Sequence, residues 1–155
     1  MVVRVQKEDF DIGLELTALT DGRHEIGGLV SFTGLVRDLN PDTVGDALKA
    51  MTLEHYPGMT EKMLGEIEAQ AVDRWPLSAS LIIHRYGKLS PGERIVMVAA
   101  ASAHRQAAFE ACEFLVDWLK TKAPFWKLEE SVTGEKWVEA READNAAADR
   151  WRDGQ

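Results

Sequence analysis

The amino-acid sequence predicts an α+β fold: one domain over residues 1–155, built from antiparallel sheets and two principal helices. Three observations predict it. The chain has 155 residues, a length that fits one domain and buries a sizeable core without disulfide staples. Its apolar residues alternate in some segments and recur at helical spacing in others. Those segments follow no regular strand–helix–strand order, and no repeat or low-complexity linker divides them.

Each element has its own signal. Val2, Val3 and Val5 open a short strand, after which Asp9 or Asp11 caps a helix carrying Ile12, Leu16 and Leu19. Asp21-Gly22-Arg23 is a turn. Residues 27–37 (GGLVSFTGLVR) mix β-branched and aromatic side chains with glycines and read as a strand that bends at Gly34. Residues 38–46 form a loop around Asn40-Pro41. Residues 49–56 read as a strand with Met51, Leu53 and His55 on one face, ended by Pro57-Gly58. A helix from Thr60 to Trp75 follows, its stripe being Met63, Ile67, Ala71 and Trp75 with Leu64 and Val72 beside them. Residues 80–86 are a strand, 89–93 a turn, and 94–102 the most buried strand. The next helix runs from about His104 to Lys122 on Ala108, Ala111, Cys112, Leu115 and Leu119, and Pro124 stops it. Residues 125–131 and 136–140 form a hairpin around Thr133-Gly134-Glu135, and the tail over about 142–152 is alanine-rich and helical.

Charge and composition narrow the function. Lys and Arg number 18 against 26 Asp and Glu, a formal net charge of −8 that argues against a nucleic-acid surface but leaves room for a small basic pocket. The most apolar run, Ile95 to Ala103, is far short of the roughly 20 residues a membrane helix needs. The charged opening MVVRVQKE has no signal-peptide core, and a single cysteine leaves no disulfide framework, so a cytoplasmic protein is expected.

Two places concentrate cations. One is residues 120–127 (KTKAPFWK), three lysines with no acid; the other is Ala103-His104-Arg105, at the start of the long helix. A helix N-terminus presents free N–H groups and partial positive charge, so His104 and Arg105 there make an anion site physically reasonable. Lys120 and Lys122, taken alone, read first as solvated residues meeting the helix dipole. Lys127 follows Phe125-Trp126, where packing can fix its stem while its ammonium reaches a pocket. Arg37 at a strand end is, taken alone, a surface arginine, and His84-Arg85 inside a strand point to core or interface roles. The four histidines lack short metal-site spacing, and Cys112 lies in a helix stripe as a buried thiol. Neither a Walker loop nor a nucleophile elbow is present. These features alone name no reaction.

The ordered motifs do more. FTGLVR (32–37), LEHYPGM (53–59), IHRYG (83–87), SAHR (102–105) with Ala108-Phe109, then Lys120, APFWKLE (123–129) and Trp137-Val138 follow one another at compatible spacing. From about Gly27 to Trp151 the chain resembles the large, catalytic subunit of molybdopterin synthase, the MoaE family. The resemblance implies an α/β-hammerhead fold and a sulfurtransferase without metal or organic cofactor. It implies transfer of two sulfurs from the C-terminal thiocarboxylate of a small ubiquitin-like subunit to cyclic pyranopterin monophosphate, within a heterotetramer built on a central homodimer. It assigns Lys127 as acid/base or covalent participant and Lys120 as the cation that orients the thiocarboxylate. His104 and Arg105 would hold the phosphate or pterin, Arg37 would close the anion site, and Leu128 and Glu129 would line it. Arg141 would reach it across the dimer interface. Leu35 stands where relatives often carry lysine, one cation fewer. The rival reading is a non-catalytic binding module for a phosphorylated metabolite or a partner tail.

Overall fold

A computed structural model describes residues 1–38, 48–122, 125–131, 134–138 and 142–152. Eight strands and four helices occur among them. Four strands form the first sheet: β1 (Val2–Gln6), β4 (Leu77–Arg85), β6 (Arg94–Ser102) and β2 (Gly28–Leu35), side by side in that order. β6 pairs antiparallel with both β4 and β2, whereas β1 pairs parallel with β4. The expected antiparallel pairing prevails, with this one parallel pair added at the edge of the first sheet. The reason is chain length: more than a hairpin lies between β1 and β4, so β4 can return in the same direction.

The two central strands are covered on both faces, which is why they read as apolar runs rather than as alternation. Ile82, Val96, Val98 and Ala100 face α2 (Met59–Arg74) and α3 (Arg105–Lys122), in one cluster with Leu64, Ile67, Phe114 and Leu115. Leu81, Ile83, Met97 and Ala99 face the other way, against Phe10 and the Ile12, Leu16 and Leu19 stripe of α1 (Ile12–Thr20). Asp11 caps α1 as expected, accepting from the Leu14 N–H at 2.9 Å. The buried stripe of α2 is rotated from the one read in the sequence. Thr60, Leu64, Ile67, Glu68 and Ala71 are buried and Val72 is exposed, because Glu68 goes inside with its carboxylate accepting from Ser80 Oγ at 2.5 Å.

The second sheet, β5 (Gly87–Leu89), β3 (Leu48–His55), β7 (Phe125–Ser131) and β8 (Gly134–Val138), is antiparallel throughout. β5 was not expected; Leu89 read as turn. Gly87 has φ 92°, a left-handed corner that lets the chain leave β4 in one sheet and enter β5 in the other with only Tyr86 between. Gly134 and Glu135, read as the hairpin turn, belong to β8. The expected bend at Gly34 is present as a register shift between Gly34 and Leu35. The expected loop over 38–46 lies, beyond Asp38, outside the described residues.

The tail folds as α4 (Glu142–Asp149) and is latched by Trp151. Its ring packs edge-on against Trp75 and Phe114 at 5.7 and 5.6 Å, and its Nε1 donates to Asp117 at 2.8 Å.

Candidate functional site

The second sheet and the end of the first meet around Lys127. In β7, Lys127 lies between Leu53 of β3 and Val138 of β8, and alternation puts Phe125 on its face of the strand. Phe125 stacks on His84, from the end of β4, with ring centroids 3.7 Å apart and planes at 18°. His55 of β3 packs against Tyr86 at 4.0 Å and reaches Phe125 at 6.4 Å. Rings from both sheets therefore form one floor beside Lys127.

His84 is 5% exposed. Its Nδ1 lies 2.8 Å from the Arg85 carbonyl, which can only accept, so Nδ1 carries the proton and Nε2 is bare. Burial pushes this imidazole down to about 4; the bond to the Arg85 carbonyl opposes that shift, and the charges of Lys127 and His55 add to it. Next to it, Arg85 is buried and clamped. It donates to the Lys7 carbonyl at 3.0 Å and the Arg94 carbonyl at 2.8 Å, with Glu93 at 3.5 Å and Asp9 at 3.8 Å. The core role read for His84-Arg85 is what these contacts describe.

Two further cations adjoin this floor through the chain. Arg37 is exposed and follows Val36, which packs with Leu53 and Leu89 and is held by bonds to Glu93 and Gly92. Lys120 is exposed in the last turn of α3, so Lys120 and Lys127 stand on either side of the short α3–β7 junction. Lys122, the third lysine of the segment, instead lies over the Trp118 ring at 5.4 Å. Leu128 is on the opposite face of β7 from Lys127, paired with Thr52 and Trp137. Glu129 pairs with Met51 and Lys136, and Arg141 lies outside the described residues.

His104 and Arg105 are elsewhere. They stand exposed at the N-terminus of α3, beside a depression of about 690 Å³ lined by Gly27, Ala103, Gln106, Phe109 and Glu110 as well. Fifteen helical steps separate Arg105 from Lys120, about 22 Å at 1.5 Å each. Within one chain, then, the cations form two groups at opposite ends of α3. Gly27 and Gly28 allow the N-terminal group to sit where it does. A Cβ on Gly27 would lie 2.2 Å from the Ala103 carbonyl oxygen, and one on Gly28 3.2 Å from Arg105 Cα.

Cys112 is buried on α3, and burial, helped by Glu113, pushes its thiol up to about 11. Among the described residues, no three His, Cys, Asp or Glu side chains are grouped as metal ligands would be, and no helix is long and apolar enough to cross a membrane.

Comparison with known proteins places this geometry. The family model described as MoaE protein matches residues 5–122. The chain belongs to the MoaE family. One MoaE relative, the molybdopterin synthase catalytic subunit of Mesorhizobium japonicum, is 56% identical over 152 residues, covering 97% of this chain and 92% of that protein. The MoaE structure from Burkholderia ambifaria superposes with a TM-score of 0.82 at 50% identity, covering 97% of each chain. A protein–protein complex of subunits 1 and 2 of molybdopterin-converting factor from Helicobacter pylori matches at a TM-score of 0.71 and 19% identity over 92% of each chain, a likeness of fold. The resemblance read from the ordered motifs is thus confirmed. What that reading missed in this MoaE chain is the place of His84 against Phe125. Its signal was the IHRYG motif, whose stacking partner Phe125 lies about 40 residues downstream and cannot be found by spacing.

Proposed function

We propose that this chain is the catalytic subunit of a molybdopterin synthase, a cytoplasmic sulfurtransferase. It accepts sulfur from the C-terminal thiocarboxylate of a small ubiquitin-like subunit and delivers two sulfurs to cyclic pyranopterin monophosphate. One observation supports this reading: the backbone of Lys127 is held by a β-ladder on both sides of β7, beside a floor of packed rings from which its side chain extends. A cation there favours the anionic donor tail and, once its sulfur is bonded to the substrate, the oxyanion that forms when water adds to the acyl carbon; collapse of that oxyanion breaks the carbon–sulfur bond and leaves the tail as a carboxylate. Lys120, across the α3–β7 junction, orients the thiocarboxylate, and Arg37 adds charge at the rim. Glu129 and Arg141 belong to the same proposed site as lining residues, and Leu128, on the opposite face of β7, backs the strand from behind.

His104 and Arg105 bind the phosphate or pterin. Their separation from Lys120 by the length of α3 exceeds the reach of one small substrate, so this reading requires a second copy of the chain. The homodimer supplies it: each site takes its lysines from one subunit and its His104–Arg105 pair from the other, with a small subunit bound at each end.

The test is direct. The chain is mixed with thiocarboxylated small subunit and cyclic pyranopterin monophosphate, and dithiolene product is measured. Lys127→Ala is expected to lower the rate by roughly 100-fold or more, the scale of losing an oxyanion-stabilising group. A rate in Lys127→Ala equal to that of the unmodified chain would remove the assignment. Ligand binding with no sulfur transfer by the unmodified chain would favour the binding module instead.

A further inference from the structure

The IHRYG segment offers a residue for which the proposed chemistry gives no role. We propose that His84 is the positioning residue for Lys127: its ring, stacked on Phe125 and tied to the Arg85 backbone, seats β7 where the two sheets meet.

The geometry builds from one sheet into the other. Arg85 is fastened to Lys7, Arg94, Glu93 and Asp9, so the end of β4 is rigid. The bond from His84 Nδ1 to the Arg85 carbonyl fixes the ring against that end. Phe125 then lies flat on the ring at 3.7 Å. Phe125 is the first residue of β7, and its ladder partner is His55 of β3. Lys127 is two residues on, on the same face. The stack is thus a side-chain tie between the first sheet and the start of the strand that carries Lys127. Without it, Phe125 loses its flat contact with the end of β4, and the start of β7 gains freedom to shift over that end. A shift of about 1 Å at a reacting group costs on the order of 100-fold in rate.

An imidazole suits the place because it stays uncharged. The ionisable groups facing it are Lys127 on β7 and His55 on β3, with the Arg85 guanidinium directed away to Lys7 and Arg94. A permanent cation at 84 would repel Lys127, and an aliphatic residue would lose the flat stacking surface.

This inference rests on the reading of Lys127 as the transfer residue, so two measurements are needed. The first is amide hydrogen exchange on the full chain and its His84→Ala and His84→Phe variants. In His84→Ala, exchange at the Phe125–Lys127 amides is expected to rise by at least about tenfold while the β4 and β6 amides keep their protection; His84→Phe, which keeps the flat ring, restores it. Unchanged exchange at 125–127 overturns the proposal, as does a uniform rise across both sheets. The second is the sulfur-transfer assay. His84→Ala is expected to lower kcat by roughly 10- to 100-fold with KM within about twofold, and His84→Phe to recover most of kcat. Normal kcat in a His84→Ala chain with loosened 125–127 amides overturns the coupling to Lys127. Absence of transfer by the unmodified chain strikes the functional reading alone, and the exchange result then decides the positioning role by itself.

Discussion

At the scale of single residues, His84 also carries a pH dependence whose sign follows from its burial. Its folded-state value is about 4, against 6.5 for a free imidazole. Between those limits the unfolded chain binds a proton that the folded chain refuses, so stability is full above the free value and falls as pH drops toward the folded one. The difference corresponds to roughly 3 kcal/mol at about 1.36 kcal/mol per unit. Urea unfolding at intervals from pH 7 to pH 4 is expected to show a steeper loss for the unmodified chain than for His84→Phe, with the difference confined to that window. Equal slopes would mean that His84 is not buried as a neutral ring. Arg85 solves the opposite problem next door. It must stay charged while buried, and it does so with two backbone carbonyls as acceptors and two carboxylates within 4 Å.

At the scale of elements, the joint between β2 and α3 is set by two glycines. No helix or strand propensity calls for Gly27 and Gly28; the approach of Ala103 and Arg105 does. In Gly27→Ala the new methyl would meet a backbone oxygen, which cannot rotate away, so the strand end or the helix start must move. A destabilisation of about 2–3 kcal/mol is expected, at the upper end of overpacking costs, read as a fall in Tm by thermal unfolding. Anion binding at the α3 N-terminus is expected to weaken with it, because His104 and Arg105 ride on the displaced turn. A neutral effect would mean the joint has slack that the 2.2 Å approach denies. Most elements were legible from the sequence. β6 and α3 announce themselves by long apolar patterns, Asp11 marks a helix start and Pro57-Gly58 a strand end by local rules. β5 was not legible, because three residues are too few to show alternation and its strand identity comes only from pairing with β3. The rotated stripe of α2 was missed for a related reason: Glu68 counts as polar by type, and only Ser80 opposite makes its burial tolerable.

At the scale of the whole molecule, the two cation groups at opposite ends of α3 lead to a complementation experiment. Chains with Lys127→Ala and chains with Arg105→Ala are expected to be nearly inactive alone. If each site draws on both subunits, a mixed dimer holds one site with both defects and one with neither. Mixing equal amounts under exchange conditions should therefore recover about a quarter of normal activity, since half the dimers are mixed and half their sites intact. No recovery in dimers shown to have exchanged would place both residues in one subunit's site. The site residues differ in how they could be read. Lys120, Lys127, His104 and Arg105 were found as charges inside short motifs, but their grouping into two clusters depends on helix length and strand pairing.

The sequence by itself determined the family, the single α+β domain and the positions of the candidate cations, because motifs, apolar periods and charge are properties of neighbours along the chain. Only the tertiary structure decided that β1 runs parallel to β4, that Gly87 turns the chain from one sheet into the other, and that His84 lies flat against Phe125. Each is a contact between segments far apart in sequence. What selects it is the burial of facing surfaces and the pairing of backbone groups, quantities that exist only once the chain has closed on itself.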